Sequence, residues 1–235
     1  MTMKTSNYIS ISYLVFLFGG IFVLFIGAKI HSLNEPAVIW TWQEKAISPF
    51  SVVVAEPGAD FSVQYDQNSK IGLSFQKGDS CIYPPVEIRH DTLFVHPYDG
   101  KVKQQSVIVF GSGIKTVQGK ENSTIELKRF GGDTLVVKLN KAVFKHFPDN
   151  NQHNKFSLII HAAESNIQLG SASIQSMELH LSKTEMTGRG TSVSNLTGIL
   201  NDHSTLSIGH MKKINLDTDS TSTYQFYKST EVHLN

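Results

Sequence analysis

The chain has a single cysteine, Cys81, among its 235 residues. One thiol cannot form a disulfide within the chain, and it cannot build a zinc or iron–sulfur site that needs several cysteines. We expect Cys81 to pack as a small apolar side chain beside a strand at Cys81–Tyr83, because free cysteine is usually buried. The sequence therefore supplies neither a disulfide framework nor a multi-cysteine metal site.

Charged residues are also scarce, at 17% of the chain, and 21 Lys and Arg against 20 Asp and Glu give a formal net charge of +1. Such a balance creates no global field that would attract nucleic acid or an acidic partner. We therefore predict no nucleic-acid partner. A surface filled instead by Ser, Thr, Asn and Gln is typical of a β-rich, exported protein.

Motifs that carry catalytic or cofactor chemistry are missing. The sequence has no P-loop, no G-x-G-x-x-G after a predicted strand and no G-x-S-x-G nucleophile elbow, and Gly111-Ser112-Gly113 is too short for the last of these. We predict a protein that is not an enzyme and that uses no cofactor. No catalytic or cofactor-binding residue is assigned.

One long apolar run lies near the N-terminus. Ile9–Ala28 is twenty residues without a charge, between Lys4 and Lys29. A helix of that length spans about 30 Å, the hydrocarbon thickness of a bilayer. The predicted transmembrane anchor includes Ile9, Tyr13, Phe16, Phe22, Phe25 and Ala28. A signal peptide cleaved after Ala28 is the alternative, although Ile26 would then occupy a position that favours a small residue.

The sequence divides into four predicted parts. These are a cytoplasmic tail at residues 1–8, the anchor at 9–28, a juxtamembrane strap at 29–48 and an exported β-solenoid domain at 49–235. The strap carries Trp40 and Trp42, which either pack on the end of the solenoid or lie in the lipid headgroup layer. We expect a single-pass cell-membrane protein whose C-terminal domain is extracytoplasmic, in the periplasm or at the cell surface.

Apolar residues in the exported part recur at an interval of about 19 residues, which is typical of a stacked repeat. Three columns follow this interval: Leu158, Met177, Leu196 and Ile214; Ile167, Met186, Leu206 and Tyr224; and Ile174, Val193 and Met211. A turn of this length cannot close a core alone, so successive turns stack and bury a continuous apolar column. The pattern predicts an all-β fold, a β-helix or solenoid-like stack of short strands with about six rungs.

Small polar residues recur where this solenoid would turn its corners, at Ala162–Ser165, Ser182–Thr184, Asn201–Ser204 and Asp217–Ser222. Gly and small polar residues tolerate the positive φ angles of sharp turns. Equal positions on stacked turns lie about 4.8 Å apart. We therefore expect a ladder of hydroxyl groups from Ser165, Thr184, Ser204 and Ser222.

Other segments are predicted to interrupt or close the stack. Lys145–Asn154 breaks the interval and is expected to form an exposed loop. Solenoid ends need protection against edge-to-edge pairing. We expect the strap and the N-terminal strands to cap one end and the tail Lys228–Asn235 to cap the other.

Three features occur together: the opening strand Pro49–Val54, the Gly111–Gly113 corner and the terminal rungs with Ser and Thr corners. In these features the chain resembles the bacterial putative auto-transporter adhesin head, or GIN, domain family. The resemblance covers roughly residues 50–227. It implies an all-β domain with β-helix character that is exported and often membrane-tethered, and it supplies no catalytic residues. The chain departs from the family in its later corners, which are rich in Ser, Thr and Asp rather than in Gly-Ser-Gly.

His161 and His180 are one rung apart, and aliphatic residues that face inward flank each of them. We expect both imidazoles to point outward and to stack about 5 Å apart. A Zn²⁺ or Cu²⁺ site needs three or four ligands, and the nearest further candidates by spacing are Asp202 and His203. Because the spacing forces no third ligand, we interpret the pair as solvated surface histidines and predict no metal site.

The carboxylates Asp202, Asp217 and Asp219 fall at corners of the last rungs, where Asp commonly caps its own turn. Carbohydrate-active β-helix enzymes cluster carboxylates on one face, so such an enzyme is one alternative, and an envelope-signalling partner is another. We predict instead a non-catalytic, membrane-anchored protein with a structural, envelope or adhesion and ligand-contact role. Its expected partners are the membrane, through the N-terminal helix, and glycans or other envelope proteins.

Overall fold

The computed structural model describes residues 5–34, 39–98, 106–148 and 155–234, with side chains for 12–30, 39–98, 106–148 and 155–228. The chain forms two compact units, Met1–Ile39 and Trp40–Asn235. The first contains one apolar helix, and the second is an all-β solenoid of about six turns. The predicted fold class is confirmed.

The helix α1 spans Thr5–Asn34 and is longer at both ends than the predicted anchor Ile9–Ala28. Within it, Ser12–Ile30 has a mean hydropathy of 2.2 and is long and apolar enough to cross a membrane. A signal sequence near an N-terminus has the same length and composition. The anchor side chains from Tyr13 to Ala28 are exposed, and the side chain of Ile9 lies outside the described residues.

The second unit consists of short strands followed by three long ones. They are β1 Trp40–Ala46, β2 Val52–Ala55, β3 Asp60–Gln64, β4 Lys70–Gln76, β5 Val86–Arg89, β6 Thr92–Val95, β7 Ser106–Phe110, β8 Thr116–Gly119, β9 Thr124–Arg129, β10 Thr134–Asn140, β11 Val143–His146, β12 Phe156–Ala163, β13 Asn166–Leu169, β14 Ser173–Ser182, β15 Glu185–Asn201, β16 Thr205–Thr218 and β17 Thr223–Leu234.

These strands form two stacks of mostly parallel strands, which we call stack A and stack B. Stack A has the order β5-β6-β2-β8-β10-β12-β14, and stack B has the order β1-β4-β7-β3-β9-β11-β13. Both continue into β15, β16 and β17, whose N-terminal parts pair in stack B and whose C-terminal parts pair in stack A. Each turn of the chain thus adds one strand to each stack.

The N-terminal strands close one end of both stacks, as the sequence predicts. Antiparallel strands lie there: β5 pairs with β6, β4 with β7, and β1 with β4. The hairpin β5–β6 turns at His90 and Asp91, both with positive φ, which suits a tight two-residue turn. The positions of β2 and β3 within the stacks are not predicted by the sequence. In the structure β2 lies between β6 and β8, and β3 lies between β7 and β9.

Trp42 belongs to this closed end. It lies in β1, its ring meets Phe110 edge-on at a centroid distance of 6.1 Å, and it covers Gly72 in the neighbouring strand β4. A Cβ atom at Gly72 would lie 2.1 Å from the Trp42 ring, so glycine is needed there for close approach. Trp42 therefore packs on this end of the solenoid, and the assignment of residues 29–48 as a strap stays a prediction.

The predicted apolar columns are confirmed by the strand register. Leu158 pairs with Met177, Met177 with Leu196, and Leu196 with Ile214. The columns that begin at Ile167 and Ile174 follow in the same way. Alternation of apolar and polar residues produces this core, because successive side chains of a strand point to opposite faces. Burial of each large aliphatic side chain contributes roughly 1.5–3 kcal/mol.

Burial within a column depends on the turn that follows it. Ile167, Met186 and Leu206 are each 0% exposed, whereas Tyr224 at the end of the same column is 38% exposed. The predicted cap Lys228–Asn235 is wrong for its described part, because β17 continues the stack in register with β16 through Leu234 instead of folding over it. Polar and apolar residues alternate from Glu231 to Leu234, a pattern typical of a strand.

The predicted ladder of hydroxyl groups is confirmed. Each hydroxyl oxygen accepts a hydrogen bond from a backbone N–H of the preceding turn: Ser165 N–H to Thr184 Oγ1 at 3.3 Å, Thr184 N–H to Ser204 Oγ at 3.3 Å, and Ser204 N–H to Ser222 Oγ at 3.1 Å. The hydroxyl oxygens therefore accept hydrogen bonds from backbone N–H groups at the corners, where the pairing between strands is interrupted.

The corner residues with positive φ differ from the expectation. They are not glycines but Asn122, Lys141, Glu164, Lys183, Asp202 and His203. Neighbouring corners hold them in place, since the N–H groups of Lys141 and Glu164 donate to carbonyls of the next turn at 2.9 Å. Strained backbone persists where surrounding contacts over-determine it. The glycine corners serve another purpose: a Cβ at Gly131 would lie 2.3 Å from the Tyr65 ring.

Two further expectations about local structure are wrong. Cys81–Tyr83 is not a strand, and Cys81 is half-buried against the core in an irregular segment. The predicted loop Lys145–Asn154 begins too early, because Lys145 and His146 end β11 and the His146 side chain is 0% exposed. Residues 147 and 148 are irregular, and residues 149–154 lie outside the described residues. The polar pair Lys145 and His146 belongs to a strand in which the histidine faces inward.

Candidate functional site

The outer surface of stack A carries the two histidines identified from their spacing. His161 in β12 pairs with His180 in β14, and the two imidazole rings stack with centroids 4.6 Å apart and an interplanar angle of 10°. Aliphatic neighbours on both strands point into the core, so the histidines face outward. The predicted stacking is confirmed in both direction and distance.

Neighbouring charges act differently on the two rings. His180 Nε2 lies 2.9 Å from Glu178 Oε1 on the same strand, a contact that becomes an ion pair when the imidazole is protonated. Burial lowers the pKa of His161, and His180 and Lys138 lower it further by charge repulsion, against a smaller opposing effect of Glu178. The positively charged form of His161 is therefore disfavoured unless another anion is nearby.

The expected further ligands do not complete a metal site. Asp202 and His203 lie at a corner, where Asp202 Oδ2 accepts a hydrogen bond from Ser182 at 2.7 Å and the His203 N–H donates to Thr221 Oγ1 at 2.9 Å. No group of three or more His, Cys, Asp or Glu side chains suited to a metal ion occurs among the described residues. A pair of imidazoles alone does not satisfy the ligand number of zinc.

A shallow cleft of about 440 Å³ surrounds the stacked rings, and we call it the histidine cleft. It is lined by Gln118, Gly119, Lys120, Lys138, Leu139, Asn140, His161, Ala162, Ala163 and His180. These residues come from β8, β10, β12 and β14 and from the connection after β8. The small side chain of Ala163, two residues from His161 on the same face of β12, leaves the space open. The cleft follows the direction in which the strands stack.

Lys138 is a charged residue of this cleft that spacing does not identify. It pairs with Gln118 on one side and with His161 on the other, so Lys138, His161 and His180 form one outward column. The interval from Lys138 to His161 is longer than one regular turn because the segment after β11 lies between them. An alignment of β10 with β12 by their apolar residues would have placed Lys138 in this column.

The three aspartates do not form a catalytic cluster. Asp219 accepts hydrogen bonds from the N–H groups of Thr221, Ser222 and Asp202, and the bond from Ser222, followed by that from Asp202, lowers its pKa. Asp202 accepts from Ser182 at the neighbouring corner. Asp217 lies in the outward column beyond Ile199. Asp202 and Asp219 therefore perform the capping role that their positions predict.

No family model and no curated protein matches this chain. Among solved structures, it is similar to a putative adhesin from Bacteroides fragilis, with a TM-score of 0.55 and 10% identity over 85% of this chain and 98% of that chain. A putative adhesin from Parabacteroides merdae gives a TM-score of 0.49 and 13% identity, over 83% of this chain and 96% of that chain. At such low identity, the first likeness shows a shared fold.

A third solved structure, a putative lipid binding protein from Parabacteroides distasonis, gives a TM-score of 0.40 and 9% identity. The similarity covers 83% of this chain and 96% of the chain of that structure. The chain thus spans nearly the whole length of each of these three solved structures.

Proposed function

We propose that this protein is a non-catalytic, membrane-anchored β-solenoid of the GIN type that contacts a ligand at the cell envelope. In this arrangement residues 1–8 form a cytoplasmic tail, 9–28 the anchor, 29–48 the strap and 49–235 the exported domain. The solenoid fold and its likeness to a putative adhesin support the adhesive part of the proposal. The apolar helix supports the anchor.

The observation that carries the contact role is the histidine cleft. Its polar side chains project from stacked strands at a regular spacing of about 4.8 Å, and repetitive ligands such as glycans match repetitive surfaces. The cleft is open and shallow, which suits a polymer that lies across several turns. Its lining side chains hydrogen-bond and carry charge, and none is a carboxylate among the residues described.

A glycan array probed with the full chain in detergent micelles tests the contact role. We expect binding to a subset of glycans, and we expect that subset to be lost in a Lys138→Glu variant whose side chain reverses the charge of the cleft. A Lys183→Glu variant, at an exposed corner outside the cleft, is the matched control. Binding that both variants retain equally would place the contact elsewhere, and no binding to any glycan would contradict the contact role.

The anchor is tested by membrane fractionation and by sequencing the mature N-terminus. A retained anchor predicts a membrane-bound protein with an intact N-terminal segment that alkaline carbonate does not extract. A mature protein that begins at Lys29 would instead identify Ile9–Ala28 as a cleaved signal peptide. The orientation is tested with a protease added outside intact cells or spheroplasts, which should digest the C-terminal domain.

A further inference from the structure

The side chains around the histidine cleft can carry positive charge on four residues. These are Lys120, Lys138, His161 and His180, and the lining residues themselves include no carboxylate, although Glu178 at the edge of the cleft lies 2.9 Å from His180 Nε2. Lys120 is partly neutralised by Glu56, whose Oε1 lies 2.7 Å from its Nζ. Lys138 is exposed and forms no ion pair within the described part of the chain. The cleft is therefore complementary to an anion.

The arrangement of these charges favours a polymer over a small ion. Lys138, His161 and His180 occupy the same position on three successive strands of stack A, so their backbones lie about 4.8 Å apart along one line. Ala163, two residues from His161 on the same face of β12, has a small side chain and leaves flat space for a sugar ring. A line of charges next to a flat surface suits a chain of acidic sugars.

The protonation of the two histidines depends on the groups that face them. Lys138 from β10, and His180 and Glu178 from β14, face His161. His180 faces Glu178 on its own strand, His161 on β12 and the uncharged Ile199 on β15. His180 lies 4.6 Å from His161 and lowers its pKa by charge repulsion, and an anion that lies along the exposed edges of both rings opposes this effect.

We infer that the histidine cleft binds an acidic polysaccharide along the line of Lys138, His161 and His180, and that this binding strengthens as the pH falls. The inference rests on the proposed ligand-contact role and specifies its ligand class. Anion binding favours the protonated imidazoles, and by linkage the protonated imidazoles favour the anion. Burial and the neighbouring cations lower the pKa of His161, so the bound anion supplies the compensation that the free cleft lacks.

The experiment measures the affinity of the full chain in detergent micelles for polygalacturonate, with neutral dextran as the control polymer. Measurements at about pH 7.5 and about pH 5.5, at constant ionic strength, span the range in which imidazoles gain their charge while the polymer remains ionised. We expect the affinity for polygalacturonate to rise about tenfold at the lower pH, because two weak exposed ion pairs act together on one polymer. Dextran should not bind at either pH.

Variants separate the roles of the side chains. The double variant His161→Gln with His180→Gln should lose the pH dependence, and Lys138→Gln should weaken binding at both pH values. His210→Gln, an exposed histidine outside the cleft, should behave as the unaltered protein does. A pH dependence that persists in the double variant, or equal binding of dextran, would overturn the inference.

The result also distinguishes this inference from the proposed function. Binding of neutral glycans that depends on Lys138 would keep the ligand-contact role and overturn the acidic ligand. The absence of binding to polygalacturonate and to every neutral glycan would overturn both.

Discussion

The protein is expected to lose stability in mild acid, and replacing His146 by leucine should make that loss smaller. His146 lies in an inward column of stack B between Leu127 and Leu169, and its side chain is 0% exposed. Its Nδ1–H donates to the Leu127 carbonyl at 2.9 Å, and its ring meets Phe156 at a centroid distance of 5.8 Å. Its Nε2 has no hydrogen-bond partner among the described residues.

The sign of the effect follows from this burial. Because a carbonyl oxygen only accepts, the neutral ring carries its proton on Nδ1, and protonation would add a charge at the unpartnered Nε2. Burial therefore lowers the pKa of His146, against a smaller effect of the bond to Leu127. In the unfolded chain the imidazole takes up a proton below its ordinary pKa of 6.5. The stability is fully present above that pH and is lost as the pH falls below it.

The magnitude is set by one proton that the folded state excludes. The contribution of His146 to the free energy of unfolding therefore changes by at most about 1.4 kcal/mol per pH unit. Integrated from pH 7 to pH 5, complete exclusion of the proton lowers the free energy of unfolding by up to about 2 kcal/mol. A leucine at this position fits between two leucines of the column, and the loss of one hydrogen bond costs about 1 kcal/mol at every pH.

Urea unfolding of the full chain in detergent micelles, followed at several pH values between 5 and 7, measures this effect. The unaltered protein should lose up to about 2 kcal/mol more than His146→Leu over that range. His210→Gln is the control, because that histidine is exposed and should leave the pH dependence unchanged. If His146→Leu and the unaltered protein lose stability in parallel, the reasoning from burial is refuted.

Three further outcomes are expected. Ser204→Ala should lower the free energy of unfolding in urea by about 1–3 kcal/mol, because it leaves a buried N–H of the preceding turn unpaired, whereas Ser207→Ala should change it little, since that buried hydroxyl has no partner in the described residues. Deleting Met177–Asn195 removes one complete turn in register and should leave a folded, shorter protein with a cooperative thermal transition by circular dichroism; loss of that transition would contradict the stacked-turn architecture. Gly72→Ala must displace the Trp42 ring, so tryptophan emission should shift to longer wavelength while the β-sheet signal is retained, and unchanged emission would show that the ring is not seated there.

The C-terminal turns could be predicted from the sequence because one rule determines them. An apolar residue at Leu158 or Ile167 recurs one turn later, and alternation assigns every neighbour to the core or to solvent. The same rule located the corner hydroxyls and the outward histidine pair. Each of these contacts joins residues about one turn apart, and such contacts are visible as a period.

The remainder of the fold depends on contacts without a period. The place of β2 between β6 and β8 follows from pairing across a long segment, and the alternation within β2 would permit other neighbours. The polarity of Lys145–Asn154 predicts a loop, whereas His146 occupies an inward column between Leu127 and Leu169. Regular spacing does not place Lys138 in the cleft, because the segment after β11 lengthens its sequence distance from His161. Predicting these features requires knowledge of which strands pair and in which register.

The insertion of β2 and β3 into the middle of the stacks has a consequence for the order of folding. Ser62 in β3 and its hydrogen-bond partner Glu126 in β9 are 64 residues apart, whereas the corner partners Ser165 and Thr184 are 19 residues apart. Longer loops cost more entropy to close, and local contacts form faster. The C-terminal turns can therefore assemble one upon another as they leave the ribosome. The strands β2 and β3 are synthesised first among their neighbours but remain without their second partners until β9 has emerged.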